Sequence, residues 1–509
     1  MELEISYYYS IFFAIVIVLV LANLKISTYG NKSATRPPPG PWKLPIIGSI
    51  HHLVGSLPHR VMRELARRYG ADVMLLKLGE VPTVVVSSRE AAKEVMKTHD
   101  IAFASRPLSV TIEILTSGGK DIIFAPYGDY WRQLRKICVL ELLSSKRVQS
   151  FRCVREEEVT NLVRSIWSSS PSSLVNLSER LYVLVNDMTA RAVLGSKCKE
   201  QNAFLRALDE SINLSAGFNL ADLFPSSRIV SMLSGVAAKA QRCTRTVHQI
   251  LDTVIQEHKV RQNRATVAGT GEDLLDVLLK IQEEGGLQFP LTTEAIKAVI
   301  FDIFGAGSET SATTLVWAMS ELMRNPGVMK KVQSEVRRVF QERPRLVMEE
   351  NINELRYLQL VIKETLRLHV PVPLLLPRQC SDTCRLSGYD VPEGATVIVN
   401  AWAIGRDPRY WTDPDEFVPE RFEDGSVDFK GTDFEFIPFG AGRRICPGMS
   451  FGLANVELTL ASLLYHFDWE IPNGMKPDEL DMDESFGITA RRKTDLSLRA
   501  VPRIPCLTT

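Results

Sequence analysis

The chain has 509 residues, 45% of them hydrophobic and 24% charged, and its 60 basic side chains balance 60 acidic ones. That length admits about three ordinary domains or one large enzyme fold, and the ordinary composition excludes disorder beyond short segments. Zero net charge removes the electrostatic reason to expect a nucleic-acid partner.

Residues 11–22 (IFFAIVIVLVLA) are continuously apolar, and with 5–10 and 23–24 they reach the roughly 20 residues a helix needs to cross a bilayer. Tyr7, Tyr8 and Tyr9 stand at one end, where aromatic rings favour the interface. Glu2 and Glu4 make the leading segment acidic, unlike a cleaved signal peptide, and Lys25, Lys32, Arg36 and Lys43 come after the apolar run. The expectation is a retained anchor over 1–24 with its carboxyl-terminal side in the cytosol. A linker and proline-rich hinge follows over 25–41. Its run Pro37-Pro38-Pro39-Gly40-Pro41 is stiff and extended, because proline fixes φ and lacks a backbone donor. The remainder, 42–509, is expected to form one large body.

The β-branched runs Val84-Val85-Val86 and Thr396-Val397-Ile398-Val399 read as short strands, while helical patterns fill the middle of the chain. A mainly α fold with a small β domain (α+β) is predicted, β-rich over about 42–100 and 371–430 and helical over about 101–370 and 436–470. One helix can start at Thr292 or Thr293, both competent N-caps, and run to Asn325, where Pro326 stops it. At about 1.5 Å per residue it would cross the whole body. Its centre, Gly305-Ala306-Gly307-Ser308-Glu309-Thr310-Ser311, puts glycines, an acid and alcohols where apolar residues are expected. Glycine costs about 1 kcal/mol against alanine in a helix, and an unpaired buried carboxylate costs more. The segment is either a close helix crossing with Glu309 reaching solvent, or a functional break.

Eight cysteines, at 138, 153, 198, 243, 380, 384, 446 and 506, show no zinc-type pairing and read mostly as buried, reduced thiols. Cys446 differs. It lies in Phe436-Ile437-Pro438-Phe439-Gly440-Ala441-Gly442-Arg443-Arg444-Ile445-Cys446-Pro447-Gly448. Glycines there let the backbone turn tightly and bring N–H groups near a sulfur. Pro447 suits a first helical turn and residues 448–464 have a helical pattern, so Cys446 is expected at a helix N-terminus that favours a thiolate. These residue types fit a thiolate ligand to haem iron, with Arg444 meeting a propionate and Phe439 covering the sulfur.

The segment Phe439-x-x-Gly442-x-Arg444-x-Cys446-x-Gly448 resembles the haem-binding signature of cytochrome P-450 enzymes, and the resemblance extends across nearly the whole chain. Ala306-Gly307-Ser308-Glu309-Thr310 is similar to the family's oxygen-activation motif, with Glu309 where many relatives have Asp. Glu364-Thr365-Leu366-Arg367 resembles the Glu-x-x-Arg motif, and Arg421, in Pro419-Glu420-Arg421-Phe422, would complete its ionic triad. Trp131 and Arg135 match a Trp-x-x-x-Arg pair that meets the haem propionates, and Arg378 matches another propionate partner. The anchor and hinge resemble the microsomal branch, and the texture is similar to plant enzymes that oxidise terpenoids and other specialised metabolites.

The resemblance implies haem b held by Cys446, the metal ligand, and proton delivery by Glu309 and Thr310. It also implies NADPH as electron source through a membrane-bound NADPH–cytochrome reductase, since no dinucleotide-binding glycine fingerprint is present in the chain. The location implied is the endoplasmic reticulum membrane, with the body facing the cytosol. By position relative to the matched motifs, substrate contacts are expected from Ile112 and Phe124, from Ile303, Ala306 and Gly307, from Val370, Val372 and Leu374, and from Ile488. They are mostly apolar, so an apolar small molecule is expected. The alternatives are a haem-thiolate lyase or isomerase acting on fatty-acid hydroperoxides, and a non-enzymatic haem protein. Neither has a use for the acid–alcohol pair Glu309-Thr310.

Overall fold

In the computed structural model the described residues are 36–169, 174–197, 200–264, 272–341 and 347–505. The strands among them are β1 (Val73–Leu78), β2 (Val81–Val86), β3 (Leu174–Asn176), β4 (Arg378–Gln379), β5 (Cys384–Leu386), β6 (Tyr389–Val391), β7 (Thr396–Val399), β8 (Phe467–Glu470) and β9 (Ser497–Pro502). The two β-branched runs meet in one sheet of order β1-β2-β7-β4. β2 pairs with β1 antiparallel and with β7 in parallel, Val84 opposite Val397 and Val86 opposite Val399. Val84, Val85 and Val86 are all fully buried, as a central strand covered on both faces requires. A second sheet has the order β3-β9-β8, and β5 with β6 forms a hairpin.

Helices make up most of the remainder. Among them are α1 (Asp129–Ile137), α2 (Leu177–Leu194), α3 (Gln201–Leu214), α4 (Arg228–Ser234), α5 (Thr293–Arg324), α6 (Arg356–Leu368) and α7 (Met449–His466), of which α1, α5, α6 and α7 line the cavity described below. The long helix is α5. Thr292 caps it, its hydroxyl accepting the Ala295 N–H at 3.2 Å, and Asn325 ends it before Pro326 opens the next helix. α5 packs against α2, α6 and α7. Leu181, Val185, Leu315, Met319, Leu358 and Leu463 join there in one buried cluster, each worth about 1.5–3 kcal/mol when fully buried.

The expected anchor over 1–24 lies outside the described residues, and among those described no helix is long and apolar enough to cross a membrane. The proline run is anchored to the body. The Pro39 carbonyl accepts the Leu75 N–H at 2.8 Å, and a β-carbon at Gly40 would stand 2.0 Å from the Leu75 carbonyl oxygen. Only glycine lets the backbone lie this close to β1.

Candidate active site

The loop that carries Cys446 owes its shape to glycine. Gly440 and Gly442 take φ values of +68° and +69°, a region a β-carbon disfavours. At Gly442 a β-carbon would also stand 2.0 Å from the Met96 carbonyl oxygen. The turn closes as the Cys446 N–H donates to the Phe439 carbonyl at 2.9 Å and the Ile445 N–H to Gly442 at 3.1 Å. α7 begins at Met449, so Pro447 lies in the preceding turn and not, as expected, in the helix's first turn. The Gly448 N–H serves the sulfur instead. Burial raises the Cys446 thiol above its ordinary range, and the Gly448 N–H and the Arg135 guanidinium oppose that rise. A coordinating metal ion deprotonates such a thiol outright.

Cys446 faces a cavity with about 1540 Å³ of empty space, part of it open to solvent, whose walls also include Trp131, Arg135, Arg378, Phe439, Arg444 and Gly448. Three guanidinium groups at this wall are nearly inaccessible: Arg106, Arg378 and Arg444. Arg444 donates to the carbonyls of Ala104 (2.7 Å) and Ala125 (2.6 Å) and lies 4.1 Å over the Trp131 ring. Trp131 in turn donates its indole N–H to the Ile122 carbonyl at 3.0 Å. Arg106 donates to Leu376 and Pro377, both at 2.7 Å, and Arg135 to Ile445 at 2.5 Å. Arg378 donates to Ala441 at 3.1 Å and faces Asp100 at 3.5 Å.

Burial and mutual repulsion strain this cluster of cations. Burial, then Arg378, holds Arg444 down to about 9, and burial with Arg378 and Arg444 puts Arg106 well below the arginine range. The neighbouring Asp121 opposes the fall of both Arg106 and Arg444, and burial pushes its own carboxyl up to about 6. A wall of crowded guanidinium groups fits a ligand with two carboxylates, and the apolar cavity between it and Cys446 fits a macrocycle carrying iron. The donor set therefore fits haem b. Arg106 was not foreseen, since Ser105-Arg106-Pro107 carries no local motif.

On the other side of the cavity α5 presents Ile303, Ala306, Gly307 and Thr310. The Thr310 hydroxyl borders the cavity and donates to the Ala306 carbonyl at 2.7 Å. Glu309 is turned away and buried. It forms a two-pronged ion pair with Arg491, one contact at 2.6 Å, and accepts the Thr489 hydroxyl at 2.9 Å. Arg491 reaches on to Asp209 of α3 at 2.7 Å. No signal in the sequence pointed to this chain of charges.

Of the expected substrate contacts, Ile303, Ala306, Gly307 and Val372 line the cavity, joined by Ile122, Ile123, Leu375 and Leu376. Ile112, Phe124, Val370, Leu374 and Ile488 are not among the lining residues. Ile112 sits in a short helix, and Val370 and Leu374 pack in apolar clusters. Asp302 also lines the cavity. Its carboxylate accepts the N–H groups of Ile122 (2.9 Å) and Ile123 (3.2 Å), and burial with Asp121 raises its pKa well above the usual range.

Beyond the cavity, Glu364 and Arg367 of α6 are fully inaccessible and bound by two contacts of 2.7 Å. Arg421 donates to the same carboxylate at 2.9 Å. Arg367 also fixes the carbonyls of Gly405, Pro414 and Glu416. This locks the segment over 405–422, on which the cysteine loop rests: Phe422 meets Phe436 at 4.9 Å between ring centres.

A family model for cytochrome P450 matches residues 37–495. The chain is similar to desmethyl-deoxy-podophyllotoxin synthase of Sinopodophyllum hexandrum, 54% identical over 95% of each chain. It is similar to premnaspirodiene oxygenase of Hyoscyamus muticus, 53% identical over 97% of this chain and 98% of the relative. With 5-epiaristolochene 1,3-dihydroxylase of Nicotiana tabacum it shares 50% identity over 97% and 98%. Among solved structures, a zebra fish cytochrome P450 with abiraterone superposes with a TM-score of 0.73 at 28% identity, covering 88% of this chain and 99% of that one. The chain thus belongs to the cytochrome P450 family, a monooxygenase that uses haem b with electrons drawn from NADPH.

Proposed function

We propose that the chain hydroxylates or otherwise oxidises a terpenoid, a sesquiterpene or diterpene, with dioxygen and electrons passed from NADPH by a membrane-bound NADPH–cytochrome reductase. One observation carries the reading: the space between Cys446 and Thr310 is walled by Ile122, Ile123, Ile303, Val372, Leu375 and Leu376, which offer a substrate apolar contact. Two relatives, premnaspirodiene oxygenase and 5-epiaristolochene 1,3-dihydroxylase, support a terpenoid substrate.

Cys446 would hold haem b, with Arg106, Arg135, Arg378 and Arg444 meeting its propionates, and the thiolate-bound group would supply the oxygen-activating chemistry. The protein's share is to orient, to exclude water and to move protons. Thr310 stands at the cavity face of α5, and exchanging its bond to Ala306 for one into the cavity would place a proton there. Glu309 is the expected relay behind it, joined to the half-exposed Asp209 through Arg491. Lys136, exposed on the helix that carries Arg135, supports reductase docking near the Cys446 side. Ile229, Met232 and Leu233 of α4, 67%, 75% and 78% exposed, support a membrane-apposed orientation consistent with the anchor expected over 1–24.

The test is co-expression with a reductase, feeding with sesquiterpene and diterpene hydrocarbons, and mass spectrometry. Oxygenated products that need NADPH support the reading. Turnover of a fatty-acid hydroperoxide without NADPH would instead favour the lyase or isomerase.

A further inference from the structure

Two buried acids meet at one junction of the cavity wall. Asp121 opens the segment 121–125, and Asp302 lies on α5 against it. They are 1% and 8% exposed. Each spends one oxygen on the backbone. Asp302 Oδ2 accepts the N–H groups of both Ile122 and Ile123, and Asp121 Oδ2 accepts that of Phe124 at 2.9 Å. The second oxygens are idle. Asp121 Oδ1 is buried with no partner among the described residues, and Asp302 Oδ1 accepts no hydrogen bond among them. An acceptor left unbonded in the interior is costly, and more so if it carries charge.

No cation closes this gap. Arg106 and Arg444 attract Asp121, but no ion pair joins either to it among the described residues. Their hydrogen bonds go to carbonyls instead, Arg106 to Ile123, Leu376 and Pro377, and Arg444 to Ala104, Ile122 and Ala125. The other titratable groups facing the acids are the Tyr130 phenol and the Cys138 thiol, each pushed up to about 12 by burial and so neutral. What the acids hold in place is the arginine wall. The Ile122 carbonyl accepts the Trp131 indole N–H at 3.0 Å and one N–H of Arg444, and the Ala125 carbonyl accepts another at 2.6 Å. Ile122 is thus bonded to α5 through its N–H and to two cavity-lining residues through its carbonyl.

We propose that Asp121 and Asp302 are a carboxyl pair holding one proton at neutral pH, with Asp302 donating it to the idle Asp121 oxygen, and that this clasp of 121–125 to α5 positions Arg444 and Trp131. Burial and the neighbouring negative charge both keep the proton on Asp302 while Asp121 ionises. One O–H then serves both idle oxygens. Its loss sets two carboxylates against each other with no cation between them. Repulsion drives 121–125 off α5, and the carbonyls that aim Arg444 and Trp131 go with it. The clasp therefore holds at neutral pH and opens as pH rises. Both acids are positioning residues, acting on the wall through Ile122 and Ala125.

The experiment uses the full-chain, haem-loaded enzyme. Asp302→Asn decides, because its amide keeps an acceptor for Ile122 and Ile123 and adds a permanent donor toward Asp121, copying the protonated acid. Infrared spectra at neutral pH should show a protonated-carboxyl C=O band in wild type that is missing in Asp302→Asn and that titrates away only above neutrality. Haem transfer to excess apomyoglobin should quicken along the same titration by about tenfold or more in wild type, as one stranded buried group requires, and stay flat in Asp302→Asn. In Asp121→Asn the band should titrate lower by about one pH unit or more, since the adjacent negative charge is gone. An ionised Asp302 that merely holds two N–H groups gives no band at neutral pH, and faster haem transfer in Asp302→Asn than in wild type. Either result overturns the proposal, as does an unmoved titration in Asp121→Asn. If Asp302→Asn fails to fold, the wild-type band and its shift in Asp121→Asn decide the matter.

Discussion

Replacing Arg367 with lysine should empty the enzyme of haem although the site lies outside the cavity. Arg367 makes five bonds from a fully inaccessible position, two to Glu364 and one each to the Gly405, Pro414 and Glu416 carbonyls. A lysine ammonium carries three donors on one atom and cannot span a planar fork, so at least two buried acceptors lose their partner. At about 1–3 kcal/mol for each stranded group, the loss is about 3–5 kcal/mol. That is a large share of a typical folding stability of about 5–15 kcal/mol. The damage travels a short path: Arg367 lies 5.1 Å over the Trp411 ring, Trp411 meets Phe422 at 5.7 Å, and Phe422 meets Phe436 at the start of the cysteine loop. The assay is the thiolate-type carbon-monoxide band per mole of purified protein, with its loss followed on heating. Arg421→Lys should cost less, because Arg421 has one carboxylate contact and its carbonyl acceptors at Thr412, Asp413 and Glu416 lie nearer solvent. If Arg367→Lys keeps the wild-type band and melts within about 1 °C of wild type, the account of the triad is wrong.

Four other outcomes are expected. Cys446→Ser should abolish the thiolate-type band while leaving far-ultraviolet circular dichroism unchanged. Thr310→Ala should raise the peroxide released per NADPH consumed; unchanged coupling removes Thr310 from the scheme. Arg491→Met strands the buried Glu309 carboxylate, so it should cost about 3–5 kcal/mol and raise peroxide release, with Arg491→Lys intermediate in both. Asp121 gives a pH dependence. Its folded-state pKa, pushed up to about 6 by burial, lies above the ordinary 3.8. Between those values the unfolded chain ionises while the folded one keeps its proton, so stability drains away as pH rises through that window. Asp121→Asn should remove the loss, opening a gain over wild type of up to about 3 kcal/mol between pH 4 and pH 6, visible in urea melts across that range.

What the sequence disclosed was whatever a short stretch can encode. The cysteine loop needs its glycines and arginine within a dozen residues, α5 carries its own cap and stop, and Glu364 and Arg367 lie one helical turn apart. What escaped were pairings over long separations. Arg491 and Glu309 are joined across nearly the length of the carboxyl-terminal half, Asp302 meets the N–H groups of Ile122 and Ile123, and Arg106 completes an arginine wall assembled from four separate segments. No local period encodes such meetings; packing alone sets them. The same limit applied to the substrate contacts. Distance from a motif located Ile303 and Val372 on the cavity wall, yet it could not tell a lining side chain from a neighbour such as Val370, which packs into an apolar cluster.

The pairing of β2 with β7 bears on how the chain is made. Val84, Val85 and Val86 leave the ribosome roughly 300 residues before the strand that covers their free edge, a wait of about 15–60 seconds at ordinary elongation rates. Through that interval a bare, valine-rich backbone edge is open to any passing strand, the situation in which nascent proteins aggregate. Yield in a foreign host should therefore depend on chaperone supply and translation speed more than on the stability of the finished enzyme.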